Sequence, residues 1–217
     1  MPLKWKSFKI GELFENIQQG ARLKKEDHIQ GDLPFVMAGI TNNGVCGFIG
    51  NDNARKFKAN AITIDILGNV FYRDYDFGAS DDVGVFWNEH KLFNKEIMLF
   101  ICASIQKSLM GRFDFGNKLR ASRAFDLLCL LPVLDSRRQD FGDKNGALQG
   151  ESRELPKVVM TADEPKQSPF LAQKPTPSIN FNFIESFIKA IQKECIKSVV
   201  LWQEQEREAY RKVVENS

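Results

Sequence analysis

The chain has 217 residues, of which 43% are hydrophobic, and a formal net charge of only +2. That is enough apolar material for one ordinary domain with an appendage, and too little charge for the field of the whole molecule to hold a polyanion, so any polyanion partner must be held by a local patch. Cys46, Cys102, Cys129 and Cys195 form no C-x-x-C pair, which excludes a zinc ribbon and a disulfide scaffold and fits buried thiols in a reducing compartment. The polar start, Met1 to Lys6, does not read as a signal peptide, and the longest apolar run, Leu127 to Leu134, is too short to cross a bilayer. A soluble, cytoplasmic protein with no membrane partner is expected.

In chain order, Trp5, Phe8 and Ile10 lead into a short amphipathic segment around Leu13, Phe14 and Ile17, ended by Gly20. Pro34 to Ile40 reads as a strand, and Asn42-Asn43-Gly44 turns the chain back into Val45 to Ile49; such residues suit a hairpin that needs positive φ. A second hairpin runs from Ala61 to Leu67, turns at Gly68-Asn69, and returns through Val70 to Arg73. Val83 to Trp87 is a further strand. Asn94 predicts the cap of a helix reaching Met110 and closed by Gly111, with Ile97, Ile101, Ile105 and Leu109 as its inward stripe. Phe125 to Val133 is nearly continuous in apolar residues and predicts a central strand.

The character changes at Asp135. Five glycines and prolines punctuate 142–165 and more prolines follow to 177, periodicity is lost, and 135–178 reads as a flexible arm, with Leu155 to Met160 able to add an edge strand. From Asn182 to about Val214, apolar side chains recur at Ile184, Phe187, Ile188, Ile191, Cys195, Val199 and Trp202, the spacing of one helix face. Asn182 with Glu185 predicts its N-cap. The expected fold class is α+β: a twisted sheet with hairpins and an internal helix over 1–134, the arm over 135–178, and a long helix over 179–217.

Signatures of catalysis are missing from the sequence. It contains no G-x-x-x-x-G-K-[ST] phosphate loop, no F-x-G-x-G with [DN]-P-P-Y pair of an amino-methyltransferase, and no G-x-S-x-G elbow. His28 and His90 have no metal-ligand partner at helical spacing, Asp81-Asp82 suits a turn or cap, and Glu164-Pro165-Lys166 lies in the arm, so no catalytic residue and no metal is assigned. What remains is binding. Gln18-Gln19 with Arg22, Lys24 and Lys25, then Thr41-Asn42-Asn43, then Asn117-Lys118 with Arg120 and Arg123, mix cations for phosphates with the side chains that pair guanine and adenine edges. Arg22, Lys24, Asn42, Asn43, Lys118, Arg120 and Arg123 are the residues that could make such contacts. Taken singly, each cluster reads first as a solvated loop, and composition alone leaves the function open.

The order Trp5, Phe8, Leu13-Phe14, Gly20-Ala21-Arg22-Leu23, Gly31-Asp32-Leu33-Pro34-Phe35-Val36 and Asn42-Asn43-Gly44-Val45 resembles a target-recognition domain. So do Ile62-Thr63-Ile64 with Gly68-Asn69-Val70-Phe71-Tyr72, Asp81-Asp82-Val83, Phe115-Gly116-Asn117-Lys118-Leu119-Arg120 and Leu131-Pro132-Val133, while Phe181 to Val200 resembles the conserved-region helix that accompanies such domains. The family is that of specificity subunits of type I restriction–modification systems and their BcgI-like relatives. The resemblance implies a non-catalytic subunit that reads one half-site of a bipartite target in double-stranded DNA. It also implies partner methyltransferase subunits that bind S-adenosylmethionine, with a restriction subunit in some systems. Family members usually carry two heads and two helices, whereas one of each is visible here, and the arm is untypical. The expectation is therefore a half-length subunit, dimerising through the seam of Ile184, Phe187, Ile188, Ile191, Cys195, Val199 and Trp202 with a second copy or a different specificity chain. An interaction module that regulates a modification subunit without binding DNA, and a fragment of a fused restriction–methylation enzyme, are the competing readings.

Overall fold

A computed structural model describes residues 3–119, 121–134, 159–162, 164–167 and 179–215. The strands are β1 (Lys4–Lys9), β2 (Asn16–Gln19), β3 (Gln30–Val36), β4 (Val45–Ile49), β5 (Lys56–Phe57), β6 (Ala61–Asp65), β7 (Val70–Arg73), β8 (Phe77–Ala79) and β9 (Val83–Trp87). Then follow α1 (Lys95–Leu109), α2 (Ala121–Ala124), β10 (Leu128–Val133), β11 (Val159–Ala162), β12 (Glu164–Gln167) and α3 (Phe181–Glu215). The class is α+β, as expected, with a long C-terminal helix.

A six-stranded sheet in the order β12-β11-β2-β9-β6-β7 divides the head. Strand alternation decides what lies on each side. Ile62 and Ile64 of β6 and Phe86 of β9 join Ile97, Ile101, Ile105 and Leu109 of α1 in the main core. Ala61, Val83 and Val85 belong instead to a second cluster with Val36, Phe77 and Ala79 from the four-stranded sheet β4-β3-β8-β5. β6 is buried along its whole length. Each fully buried isoleucine or leucine of the α1 stripe contributes about 1.5–3 kcal/mol over an exposed one, and α1 has the ends its sequence predicts. The Asn94 side chain accepts from the Ile97 N–H at 3.1 Å, and Gly111 takes φ +71° beyond the last turn.

Three expectations change. The strand read as Pro34 to Ile40 is Gln30–Val36, so its connection to β4 is a loop over 37–44 and not a two-residue turn, although Asn42 and Asn43 do adopt positive φ. β10 is not central: it pairs antiparallel with β1 in a separate two-stranded sheet, Phe8 opposite Cys129. Its alternation is concealed because the outward positions Leu128 and Leu130 are leucines as well as the inward Leu131. Finally, α3 starts at Phe181 and its cap is Asn180, whose Oδ1 accepts from the Phe183 N–H at 3.1 Å; Glu185 bonds Lys189 one turn on rather than closing a capping box at Asn182. In the arm, β11 runs parallel to β2 and β12 antiparallel to β11, which places Glu164-Pro165-Lys166 on an edge strand; the other arm residues lie outside the described ones.

Of the four cysteines, Cys102 and Cys129 are buried and Cys46 and Cys195 are exposed. Burial pushes the Cys102 and Cys129 thiols up to about 12. The folded chain thus keeps both protons where an unfolded thiol, with a pKa of about 8.5, has released its own. Below about pH 8.5 neither group affects stability; above it the unfolded state is favoured, by up to about 1.4 kcal/mol per pH unit for each thiol. Urea titrations at about pH 8, 9 and 10 should show this decline, and Cys102→Ala with Cys129→Ala should flatten it.

Candidate nucleic-acid interface

The odd-numbered residues of β6 face away from α1, and two of them, Thr63 and Asp65, are polar and buried. A buried carboxylate needs donors. Asp65 has four: its Oδ2 accepts from the Gly39 N–H at 2.9 Å and from Asn69 Nδ2 at 2.8 Å, and its Oδ1 from the Leu67 and Asn69 N–H groups at 2.8 and 2.9 Å. One side chain therefore shapes the β6–β7 turn and holds the root of the 37–44 loop. Asp82 acts beside it, accepting from the Ala38 N–H at 3.1 Å.

The backbone around these carboxylates gathers the other loops. The Ile66 N–H donates to the Asp82 carbonyl at 3.0 Å, and the Ile66 carbonyl accepts from the Leu119 N–H at 2.7 Å. That bond anchors the loop carrying Asn117 and Lys118, itself folded by Asp114 Oδ1 accepting from the Gly116 and Asn117 N–H groups. Gly68, at φ +79°, lies so close under Phe113 that a Cβ there would sit 2.9 Å from its ring. On the other side, Gln19 Nε2 donates to the Asp81 carbonyl, the Gly20 N–H to Val83 and the Ala21 N–H to Ala79. A side chain at Gly20 would collide with the Ser80 carbonyl, so only glycine lets the strand leading to Arg22 approach this closely. The turn role predicted for Asp81-Asp82 thus extends to joining three loops.

Arg22, Lys24, Asn42, Asn43 and Lys118 are exposed on those loops. Arg123 is exposed on α2, whose exit is bonded to Ile10 and Gly11 through the Leu127 N–H-to-Ala124 turn and the Phe125 and Leu127 carbonyls. Arg120 lies outside the described residues. Among the described residues, no group of three or more His, Cys, Asp or Glu could hold a metal ion. His90 Nδ1 accepts from the Leu92 N–H, and His28 packs edge-on to Phe35.

Sequence reasoning overlooked Arg73. Its side chain is 2% exposed, yet no carboxylate is among its hydrogen-bond partners. Nε donates to Thr63 Oγ1 at 3.1 Å, one terminal nitrogen to the Tyr75 hydroxyl at 3.0 Å, and the other to the Asn43 carbonyl at 2.6 Å, while the rings of Phe71 and Phe77 flank the guanidinium. The available signal was its parity: Arg73 is paired with Ala61, an inward position.

The seven seam residues separate along α3. Ile184 is 0% exposed and Ile188 half-buried, both packed in the main core, so Ile184 is closed to any partner. Phe187 is partly exposed between Phe183 and Phe100. Ile191, Cys195, Val199 and Trp202 are exposed, Val199 by 55% and Trp202 by 57%. The same helix face that docks on α1 thus continues beyond the head uncovered. No described helix is long and apolar enough to cross a membrane.

The overall fold is similar to that of a chain in a solved structure concerned with complex assembly and conformational transition of the type I R-M system. The match has a TM-score of 0.53 at 12% identity and covers 97% of this chain and 44% of that one. The chain belongs to the type I restriction modification DNA specificity domain family, whose model matches residues 2–123. It is 32% identical over 142 residues to the type II restriction enzyme BgcI specificity subunit S.BcgI of Heyndrickxia coagulans, covering 64% of this chain and 41% of that protein. The S subunit from the type I restriction-modification system of M. genitalium matches at a TM-score of 0.46 and 22% identity, over 59% of this chain and 34% of that one. The chain spans less than half the length of each of these proteins.

Proposed function

We propose that the chain is a non-catalytic DNA sequence-specificity subunit of a cytoplasmic restriction–modification system. Residues 1–134 read one half-site of a bipartite target, 135–178 form an arm, and 179–217 form the helix for dimerisation and subunit docking. The observation that supports this best is the gathering of three loops, Asn42–Asn43 held by the Asp65 and Asp82 carboxylates, Arg22 by the main chain of 79–83 and Lys118 by that of Ile66, in a domain matched by a DNA-specificity family. Methylation is performed by partner methyltransferase subunits carrying S-adenosylmethionine, and cleavage, where the system cleaves, by a restriction subunit.

A bipartite target needs two heads. The second comes from another copy, joined antiparallel through Ile191, Cys195, Val199 and Trp202, and two-fold symmetry then makes the target an interrupted inverted repeat. A helix of 35 residues is roughly 50 Å long and a DNA turn about 34 Å, so the half-sites lie about one to one and a half turns apart.

Methylation-site sequencing of DNA from cells expressing the chain with its methyltransferase tests the reading. An interrupted repeat methylated only when both are present is the expected result. Methylation that is independent of the chain would leave an interaction module that binds no DNA. Lys118→Ala should weaken binding to all sequences alike and lower the salt slope by about 1.

A further inference from the structure

The 37–44 loop is more rigid than its exposure requires. Asn42 and Asn43 sit consecutively in the left-handed region, at φ 49° and 54°, a conformation that asparagine tolerates and that the surroundings here also fix. Asp82 and Asp65 take the N–H groups of Ala38 and Gly39, the Met37 N–H reaches the Gly44 carbonyl at 2.9 Å, the Asn43 N–H reaches the Ile40 carbonyl, and Arg73 holds the Asn43 carbonyl. Every fixed group is backbone. The side chains at the tip are left for something else.

Two of them have a definite chemistry. Ile40 is 73% exposed, a branched apolar side chain at the apex of a pinned loop. Asn42 is exposed and its carboxamide, like that of Asn43, has no hydrogen bond among the described residues, but the Asn43 main chain is tied to Arg73 and Ile40. Asn51, Asn60, Asn69, Asn88, Asn94 and Asn180, by contrast, use their side chains inside the fold. An apolar group beside a carboxamide matches one base-pair edge in the major groove: the thymine C5-methyl takes apolar contact, and adenine N6 and N7 take a carboxamide as donor and acceptor.

We propose that the 37–44 loop reads an A·T pair, or two adjacent ones, through the major groove, Ile40 against the thymine methyl and Asn42 on the adenine edge. This rests on the proposed DNA reading and specifies which loop does it and for which base pair.

The test uses the full chain with its methyltransferase and duplexes selected by that complex from a randomised pool. Each thymine of the enriched half-site is replaced singly by uracil, which removes only the methyl group. At one position the substitution should weaken binding about three- to fivefold, the effect of one lost methyl contact. Ile40→Ala should bind thymine and uracil duplexes equally at that position, while Ile40→Val keeps the difference. Asn42→Ala should relax the adenine preference there or at the neighbouring pair by about tenfold. Both side chains are exposed, but alanine at φ 49° strains the loop. Asn42→Asp, which tolerates that φ and lacks the amide donor, should therefore relax the preference as well. Thermal unfolding of this variant and of Ile40→Ala close to that of the native chain confirms that the head is intact. A half-site without an A·T pair, or a uracil effect that survives in Ile40→Ala, overturns the loop assignment and leaves DNA reading standing. A pool with no enriched sequence overturns DNA reading, and this inference with it.

Discussion

Arg73→Ala should destabilise the head by about 3–5 kcal/mol in urea unfolding of the full chain, placing it among the most damaging single changes available. Two effects combine. The truncation opens a cavity between the rings of Phe71 and Phe77, and it strips donors from the Tyr75 hydroxyl, the Asn43 carbonyl and the buried Thr63 hydroxyl, the last of which water does not readily reach. Arg73→Lys keeps the charge but not the fork, and one ammonium cannot span Thr63, Tyr75 and Asn43 together. Arg73→Met separates packing from polarity. A buried charge replaced by an apolar group of similar volume is often close to neutral in stability, so Met should recover much of the loss. It cannot recover the bond to Asn43, and hydrogen exchange at the amides of 38–44 should remain faster than in the native chain. A slow-exchanging loop in Arg73→Met would show that the two carboxylates suffice to hold it.

Along α3, two changes on one face should have opposite consequences. Ile184→Asp buries an unpaired carboxylate in the main core and should cost about 4 kcal/mol or prevent folding. Val199→Asp with Trp202→Asp falls where the stripe is exposed, and should leave unfolding of the head within about 0.5 kcal/mol of the native chain. In a symmetric pair the double variant introduces its changes twice, into the part of the seam richest in large apolar groups. Dimer affinity should then fall at least about a hundredfold, read by sedimentation at matched concentrations. Native chain that stays monomeric at high concentration without partner subunits would refute the homodimer and leave pairing with a different specificity chain.

Local signals were legible where one physical factor acted alone. Asn94 and Gly111 bounded α1 because capping and positive φ are properties of single residues. The Val83–Trp87 strand was read in full, being short, branched and flanked by turn residues. β10 misled because hydrophobicity cannot distinguish a leucine turned inward from one turned out, so Leu128 and Leu130 read as core. The α3 stripe was visible, but nothing in its period marks where the head ends and the uncovered part begins, and Ile184 looks no different from Ile191. The loops were found by composition; their common root was not. Asp65, Arg73 and Asp82 are near one another in sequence, but the 37–44 loop that all three hold lies well before them, and their shared grip on it appears only once β6, β7 and β9 are placed side by side.

That separation between what anchors a loop and what it displays has an evolutionary consequence. The anchoring groups are inward carboxylates, a guanidinium and main-chain atoms, whereas Ile40, Thr41 and Asn42 face outward. Substitution at the tips leaves the interior untouched, so under the proposed DNA reading target preference can diversify among descendants while the scaffold is inherited unchanged.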